Sequence, residues 1–210
     1  MADESEQKPI DRVFAELKAK GVVAAETELK REEADWWLDF AAYWNSQVIG
    51  YNEKHSFMED NLLEFAFSHE QFHLVNSKNW TRLSILRAGG IMIVFLSMIG
   101  FLDILGLVLL PFALIALWFA TLWMFGPALR ADETDADLHA ARALIEKFKI
   151  EKPSVVATSL FKILRESNWD RTELIYRARR FIYAGLHPRD DDRVDAIKEF
   201  EESYPGSLDP

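Results

Sequence analysis

The first third of the chain combines a helical pattern with a short strand-like run. Four apolar residues stand at the i, i+3, i+4, i+7 spacing before Gly21, which predicts a short amphipathic helix that ends at the glycine. These residues are Ile10, Val13, Phe14 and Leu17. A second helix is predicted over about residues 25–44, followed by a brief strand over about residues 47–51.

The last third of the chain is helical in its pattern. Helices are predicted near residues 132–149, 154–167, 170–185 and 191–203. Pro153, Asp170 and Pro188 stand at or just before three of these segments and are typical helix start signals. The sequence therefore predicts a mainly α fold with a small β element.

A long apolar run separates the two regions. Between Gly89 and Phe125 the only ionisable residue is Asp103. One helix of that length, at about 1.5 Å per residue, would be much longer than the roughly 30 Å hydrocarbon layer of a bilayer. We therefore predict two transmembrane passes, over residues 84–102 and 105–125. A buried helical hairpin outside any membrane is the alternative interpretation of this run.

Basic residues flank the apolar run on both sides. Lys78, Arg82 and Arg87 precede it and Arg130 follows it, whereas the turn between the passes has no Lys or Arg. Because cytoplasmic flanks of membrane segments are enriched in positive charge, both termini are predicted to be cytoplasmic. A lipid bilayer is then one expected partner of the chain.

Charge and cysteine content narrow the chemistry. The formal net charge of −10 and a pI near 5.0 argue against a nucleic-acid partner, because the phosphate backbone would be repelled. The chain has no cysteine, so any zinc must be held by histidine and carboxylate side chains. Residues 1–7 are acidic and polar, so no signal peptide is expected there.

One predicted helix carries a motif of zinc peptidases. Residues 69–73 read His69-Glu70-Gln71-Phe72-His73. On a helix the i and i+4 positions share a face, so both imidazoles can bind one metal ion, with Glu70 beside them as a proton acceptor. The apolar stripe before the motif continues through both histidines, which should therefore face inward. Two buried histidines hydrogen-bonded in a helical core are the alternative.

A catalytic zinc site needs a third protein ligand and an open position. After the apolar run, Glu133 and Asp137 stand at i and i+4 at the start of a predicted helix. Glu133 is a candidate ligand, and Asp137 on the same face can hydrogen-bond the free ring nitrogen of a zinc-bound histidine. Acidic residues that only stabilise a helix N-terminus are the alternative.

In this order the features resemble the membrane-embedded zinc metallopeptidases of the HtpX heat-shock protease and CAAX prenyl protease type. The resemblance covers roughly residues 59–200. It rests on His69-Glu70-x-x-His73, an apolar hairpin, Glu133-x-x-Ala136-Asp137, and His187-Pro188 followed by Arg193. It implies a helical, zincin-like fold of the gluzincin type that is interrupted by a two-helix transmembrane hairpin.

The resemblance also implies an activity, that of a zinc metalloendopeptidase. The implied zinc ligands are His69, His73 and Glu133. Glu70 would be the general base, Asp137 would support a ligand, and His187 and Arg193 would stabilise the oxyanion or brace the ligands. The implied substrates are membrane or membrane-proximal proteins, cleaved at the cytosolic face of the inner membrane of a bacterium.

Four parts of the chain follow from this interpretation. They are an N-terminal helical region (1–58), an active-site helix segment (59–83), a transmembrane hairpin (84–126) and the C-terminal helical part of the peptidase domain (127–210). Phe72 stands where the family usually has glycine, and no edge strand for a peptide substrate is obvious before His55. A catalytically silent member that acts as a membrane assembly or regulatory subunit is therefore the alternative function.

Overall fold

The computed structural model describes residues 9–33, 39–43, 46–76, 104–169 and 187–204. Within these ranges the chain forms five α-helices and one three-stranded sheet. The predicted mainly α fold with a small β element is confirmed.

The first helix, α1, spans Pro9–Ala19 and matches its prediction. Its four apolar residues are all buried against the rest of the core. Gly21 follows with φ +70°, a conformation that residues with a Cβ atom rarely adopt. A glycine at this position therefore allows the chain to leave the helix and turn towards the sheet.

The sheet replaces the helix that was predicted over residues 25–44. Strands β1 (Glu28–Glu32), β2 (Phe40–Tyr43) and β3 (Val48–Asn52) form a sheet in the order β1-β3-β2. Strand β3 pairs in parallel with β1 and antiparallel with β2, and it confirms the strand predicted at 47–51. Along β2 the more buried positions alternate with the less buried ones, which is a strand period and not a helical one.

Helix α2, Asp60–Val75, lies at the centre of the fold. It contacts α1, β2, β3 and both long helices that follow, and ten of its residues are buried. A buried hydrogen bond from Thr27 Oγ1 to Gln71 Oε1, 3.1 Å long, ties the start of the sheet to the middle of α2. The helix is therefore held on several sides, which limits how far its histidines can move.

Three further helices complete the described structure. Helix α3 spans Ile104–Phe148, α4 spans Pro153–Trp169 and α5 spans Asp190–Ser203. They confirm the predicted helices near 132–149, 154–167 and 191–203, while the one near 170–185 lies outside the described residues. Helix α3 packs along α2, and α5 packs on α3 and α4.

The prediction of an integral membrane protein is wrong. Among the described residues, no helix combines the length and the apolar character that crossing a bilayer requires. The first predicted pass, 84–102, lies outside those residues. The second belongs to α3, a single helix of 45 residues that continues through a strongly charged segment to Phe148 instead of ending at residue 125. The cytoplasmic placement of both termini and the inner-membrane location are withdrawn with it.

Glu64 is an acid buried on the side of α2 that faces α1. Only 7% of the residue is exposed, and Glu16, Lys20, Asp60 and Arg12 are the charged groups that act on it. Burial, assisted by the negative charge of Glu16, raises the pKa of Glu64 to about 7. The folded protein therefore favours the neutral form of this side chain.

Glu64→Gln should make the protein more stable in neutral and alkaline solution. The pKa of Glu64 is higher in the folded than in the unfolded state. Its contribution to the free energy of unfolding is therefore most favourable below about pH 4.5 and is lost as the pH rises through about 7. We expect a gain in unfolding free energy on the order of 1 kcal/mol at pH 8 and almost none at pH 4.5. Urea unfolding of the wild-type and variant proteins across this pH range measures the gain.

Glu59→Gln is the matched control, because Glu59 is exposed and immediately precedes the same helix. A gain for Glu64→Gln that is the same at every pH would show that the charge of Glu64 does not destabilise the fold.

Candidate metal centre

Helices α2 and α3 bring together the three side chains that the sequence proposes as metal ligands. His69 Nε2 and His73 Nε2 are 3.1 Å apart. Glu133 on α3 faces both, with Oε2 3.5 Å from His69 Nε2 and Oε1 3.4 Å from His73 Nε2. One ligand atom from each of the three residues lies within 4.8 Å of the other two.

These distances fit a zinc ion. With bonds of about 2.0–2.1 Å to nitrogen and oxygen, two ligand atoms of a tetrahedral zinc site are roughly 3.4 Å apart. The two Nε2 atoms are 3.1 Å apart, and the distances of 3.4 and 3.5 Å join them to the two different oxygens of Glu133. The donor set of two imidazoles and one carboxylate is also a known set for catalytic zinc, and it leaves a fourth position for water or substrate.

His69 is held from behind by a buried ion pair. Its Nδ1 donates to Asp137 Oδ1 at 2.9 Å. Asp137 is fully buried and also accepts from Arg193, through Nε at 2.6 Å and an amino nitrogen at 2.7 Å. The guanidinium of Arg193 lies 4.1 Å from the centre of the Phe161 ring, which supports it from the other side. This chain of contacts leaves His69 Nε2 as the nitrogen that faces the metal position.

His73 has a second acidic neighbour that the sequence interpretation missed. Its Nδ1 lies 3.4 Å from Asp132 Oδ2, and Asn76 Nδ2 donates to Asp132 Oδ1 at 3.0 Å. A signal for it was present in the sequence. Each zinc-bound histidine commonly has a hydrogen-bond partner for its other ring nitrogen, and only one such partner, Asp137, had been proposed for the two histidines. Asn76 also stands three residues after His73, a spacing that puts both on one helix face.

His187 and Arg193 contact different acidic residues of the cluster. His187, from the segment before α5, places Nδ1 3.0 Å from Glu133 Oε2 and keeps a quarter of its side chain exposed, 25%. Arg193 is engaged with Asp137 by two hydrogen bonds. This geometry favours the bracing role for Arg193 over contact with a reacting oxyanion.

Glu70 and Phe72 are two of the three residues between the motif histidines, and the third, Gln71, accepts a hydrogen bond from Thr27. Glu70 is half-buried on α2 next to His69. The ring of Phe72 lies 6.0 Å from that of His73 and 5.6 Å from that of His139 on α3, measured between ring centres. Phe72 therefore packs beside His73 and against His139 of α3.

The charges around the cluster are strongly coupled. Burial alone raises the pKa of Glu133, but the nearby His187 and His69 outweigh it and hold that pKa well below its usual range. Burial likewise raises the pKa of Asp137, and the adjacent Arg193 and His69 bring it below its usual value. Burial lowers the pKa of His69, yet its bonds to Asp137 and Glu133 raise it to about 10. The acidic neighbours therefore favour a cation at His69 Nε2, which is a proton in the metal-free protein.

Comparison with protein-family models, with curated proteins and with solved structures finds no match to this chain.

Proposed function

We propose that this protein is a zinc-dependent peptidase whose metal is held by His69, His73 and Glu133. The observation that supports it is the convergence of three side chains in a partly buried site: the two Nε2 atoms are 3.1 Å apart, and the two oxygens of Glu133 lie 3.4 and 3.5 Å from them. Each histidine turns its Nδ1 towards an aspartate, which favours the tautomer whose Nε2 carries a lone pair. A metal ion bound among these atoms would take the place of the proton that the acidic neighbours favour on His69 Nε2.

The residues around that cation suit hydrolysis of a peptide bond. Zinc bound there would polarise a carbonyl group and lower the pKa of a water molecule at its open position. The carboxylate of Glu70 would accept a proton from the attacking water and deliver it to the leaving nitrogen. His187 presents a partly exposed ring beside Glu133, where its ring N–H can donate to negative charge that develops on the substrate.

The fold supports a zincin-like arrangement of the gluzincin type. The motif helix α2 packs on a small sheet and on helix α3, which supplies the carboxylate. The order of motif, Glu133-x-x-Ala136-Asp137 and His187-Pro188 remains similar to that of the HtpX and CAAX prenyl protease type. We therefore propose protein or peptide substrates, cleaved internally, as the class on which the site acts.

Removing the metal should abolish hydrolysis reversibly. Dialysis against a strong chelator is expected to reduce cleavage of an unstructured protein substrate to background, and one equivalent of zinc should restore it, because the ligands form a single site. Cleavage of labelled casein before and after chelation measures this. Activity that is unaffected by complete removal of zinc would contradict a metallopeptidase.

The same experiment distinguishes an active peptidase from a catalytically silent member of this class. A chain that takes up one zinc and never cleaves any substrate would fit a regulatory role, for which Phe72 was one reason. The other reason was the lack of an obvious edge strand for the substrate, and against it stands β2, which is an edge of the sheet and contacts α2 within the described residues. Peptide hydrolysis is therefore the function that the site supports best.

A further inference from the structure

We infer that Asp132 and Asn76 form a positioning pair that orients His73 for metal binding. The inference rests on the proposed zinc site and adds two residues to it. It concerns how one histidine is held, and it makes neither residue a ligand or a catalytic residue.

The geometry of the pair carries the inference. Asp132 stands one residue before Glu133 on α3, and its Oδ2 lies 3.4 Å from Nδ1 of His73. Its other oxygen accepts a 3.0 Å hydrogen bond from the Asn76 amide. The two contacts point the carboxylate at the side of the His73 ring that is opposite to Nε2 and the metal position. When Nε2 binds a metal ion, the ring proton must lie on Nδ1 and faces Asp132.

Burial makes this arrangement costly without a cation. Asp132 is 8% exposed, and a buried carboxylate needs hydrogen bonds and positive charge to offset the loss of water. The amide of Asn76 supplies one hydrogen bond and no charge. The imidazole of His73 supplies the positive charge once it is bound to a metal ion, so metal binding and burial of Asp132 favour each other.

Asn76 connects the two helices that carry the site. It is the residue that follows α2, where its backbone N–H donates to the carbonyl of Phe72, while its side chain reaches Asp132 on α3. The end of α2 is therefore fixed to α3 within one turn of His73. This contact holds His73 at the correct distance from Glu133 as well as in the correct orientation.

The two histidines are braced differently. Asp137, behind His69, is paired with the charged Arg193, whereas Asp132, behind His73, is paired with the neutral Asn76. A neutral partner leaves the negative charge of Asp132 directed mainly at His73. Loss of that charge should therefore weaken metal binding without leaving an unpaired cation in the interior.

The test is the zinc affinity of the full-length chain, measured by competition with a chromophoric chelator. Asp132→Ala should weaken zinc binding by about 10- to 100-fold, the usual effect of losing such a partner. Asp132→Asn keeps an oxygen that can accept from His73 and should show a smaller loss. Asn76→Ala should weaken binding by about fivefold, because one hydrogen bond to the carboxylate is lost.

Asp135→Asn is the matched control, since Asp135 is an exposed acid on the same turn of α3. Affinities of Asp132→Ala and Asp135→Asn that agree within twofold would overturn the inference. If Asp132→Ala fails to fold, Asn76→Ala decides, because it keeps the carboxylate of Asp132 and removes the amide that holds it. An affinity of Asn76→Ala equal to that of the control would then overturn it.

Cobalt in place of zinc gives a readout that a purely structural role would not change. The visible bands of cobalt(II) report the geometry of its ligands, and Asp132→Ala should shift or weaken them while Asp135→Asn should not. Identical spectra would count against a positioning role. A wild-type chain that binds zinc but cleaves nothing would end the peptidase proposal, and the zinc affinities of the variants would still test the positioning pair. A wild-type chain that binds no metal would end both the peptidase proposal and the positioning role.

Discussion

Glu70→Gln is expected to lower peptide hydrolysis by about 10²- to 10⁴-fold while the protein still binds one zinc. The substitution keeps the size and hydrogen-bonding capacity of the side chain and removes the carboxylate that accepts the proton. Zinc should stay bound because the three residues that converge are His69, His73 and Glu133. Initial rates on a casein substrate, together with metal analysis of the same sample, measure both halves of the prediction.

Glu59→Gln controls for the loss of an acid near the same helix, since Glu59 is exposed. It should retain full activity. Wild-type rates in a zinc-loaded Glu70→Gln variant would refute the assigned general base, and loss of zinc from that variant would place Glu70 among the ligands instead.

Arg193→Met is expected to lower the free energy of unfolding by about 3–5 kcal/mol. Arg193 and Asp137 form two hydrogen bonds of 2.6 and 2.7 Å, and their side chains are only 12% and 0% exposed. Removing the cation leaves Asp137 charged in the interior beside His69. Chemical denaturation of the zinc-free protein measures the loss of stability without the added effect of metal binding.

Two further variants show whether the loss comes from the broken pair. Arg189→Met removes an exposed arginine just before the same helix and should have little effect. Replacing both partners, with Asp137→Leu added to Arg193→Met, should recover part of the stability because no buried charge is then unpaired. Equal unfolding free energies for Arg193→Met and Arg189→Met would show that the pair contributes nothing.

Local spacing explains why much of the site could be predicted. The i, i+4 spacing of His69 and His73 needs only that α2 be a helix, and the same holds for Glu133 and Asp137 on α3. The contact between α2 and α3 depends on packing between segments that are distant in the sequence. No local sequence pattern encodes it. The expectation of this contact came from the predicted transmembrane hairpin, which would return the chain to the side it left, and the resemblance agreed with it. The membrane prediction is wrong, and the structure nevertheless places the three side chains together.

Other features could not be predicted because they depend on distant partners. Strand β1 consists of Glu28, Leu29, Lys30, Arg31 and Glu32. Most of these are good helix formers, and they become a strand because β3 pairs with them. The apolar run after Gly89 suggested a membrane on composition alone, and composition does not distinguish a membrane hairpin from helices buried in another way. Asp132 is a different case, because the sequence interpretation proposed a hydrogen-bond partner for only one of the two histidines.

Zinc K-edge X-ray absorption of the purified chain, loaded with one equivalent of zinc and dialysed, tests the metal centre most directly. A site at His69, His73 and Glu133 predicts one retained zinc with two imidazole nitrogens and carboxylate oxygen at about 2.0–2.2 Å. It also predicts that Glu133→Ala retains much less zinc. Zinc that is lost on dialysis, or that is surrounded by oxygen without any imidazole signal, would contradict it.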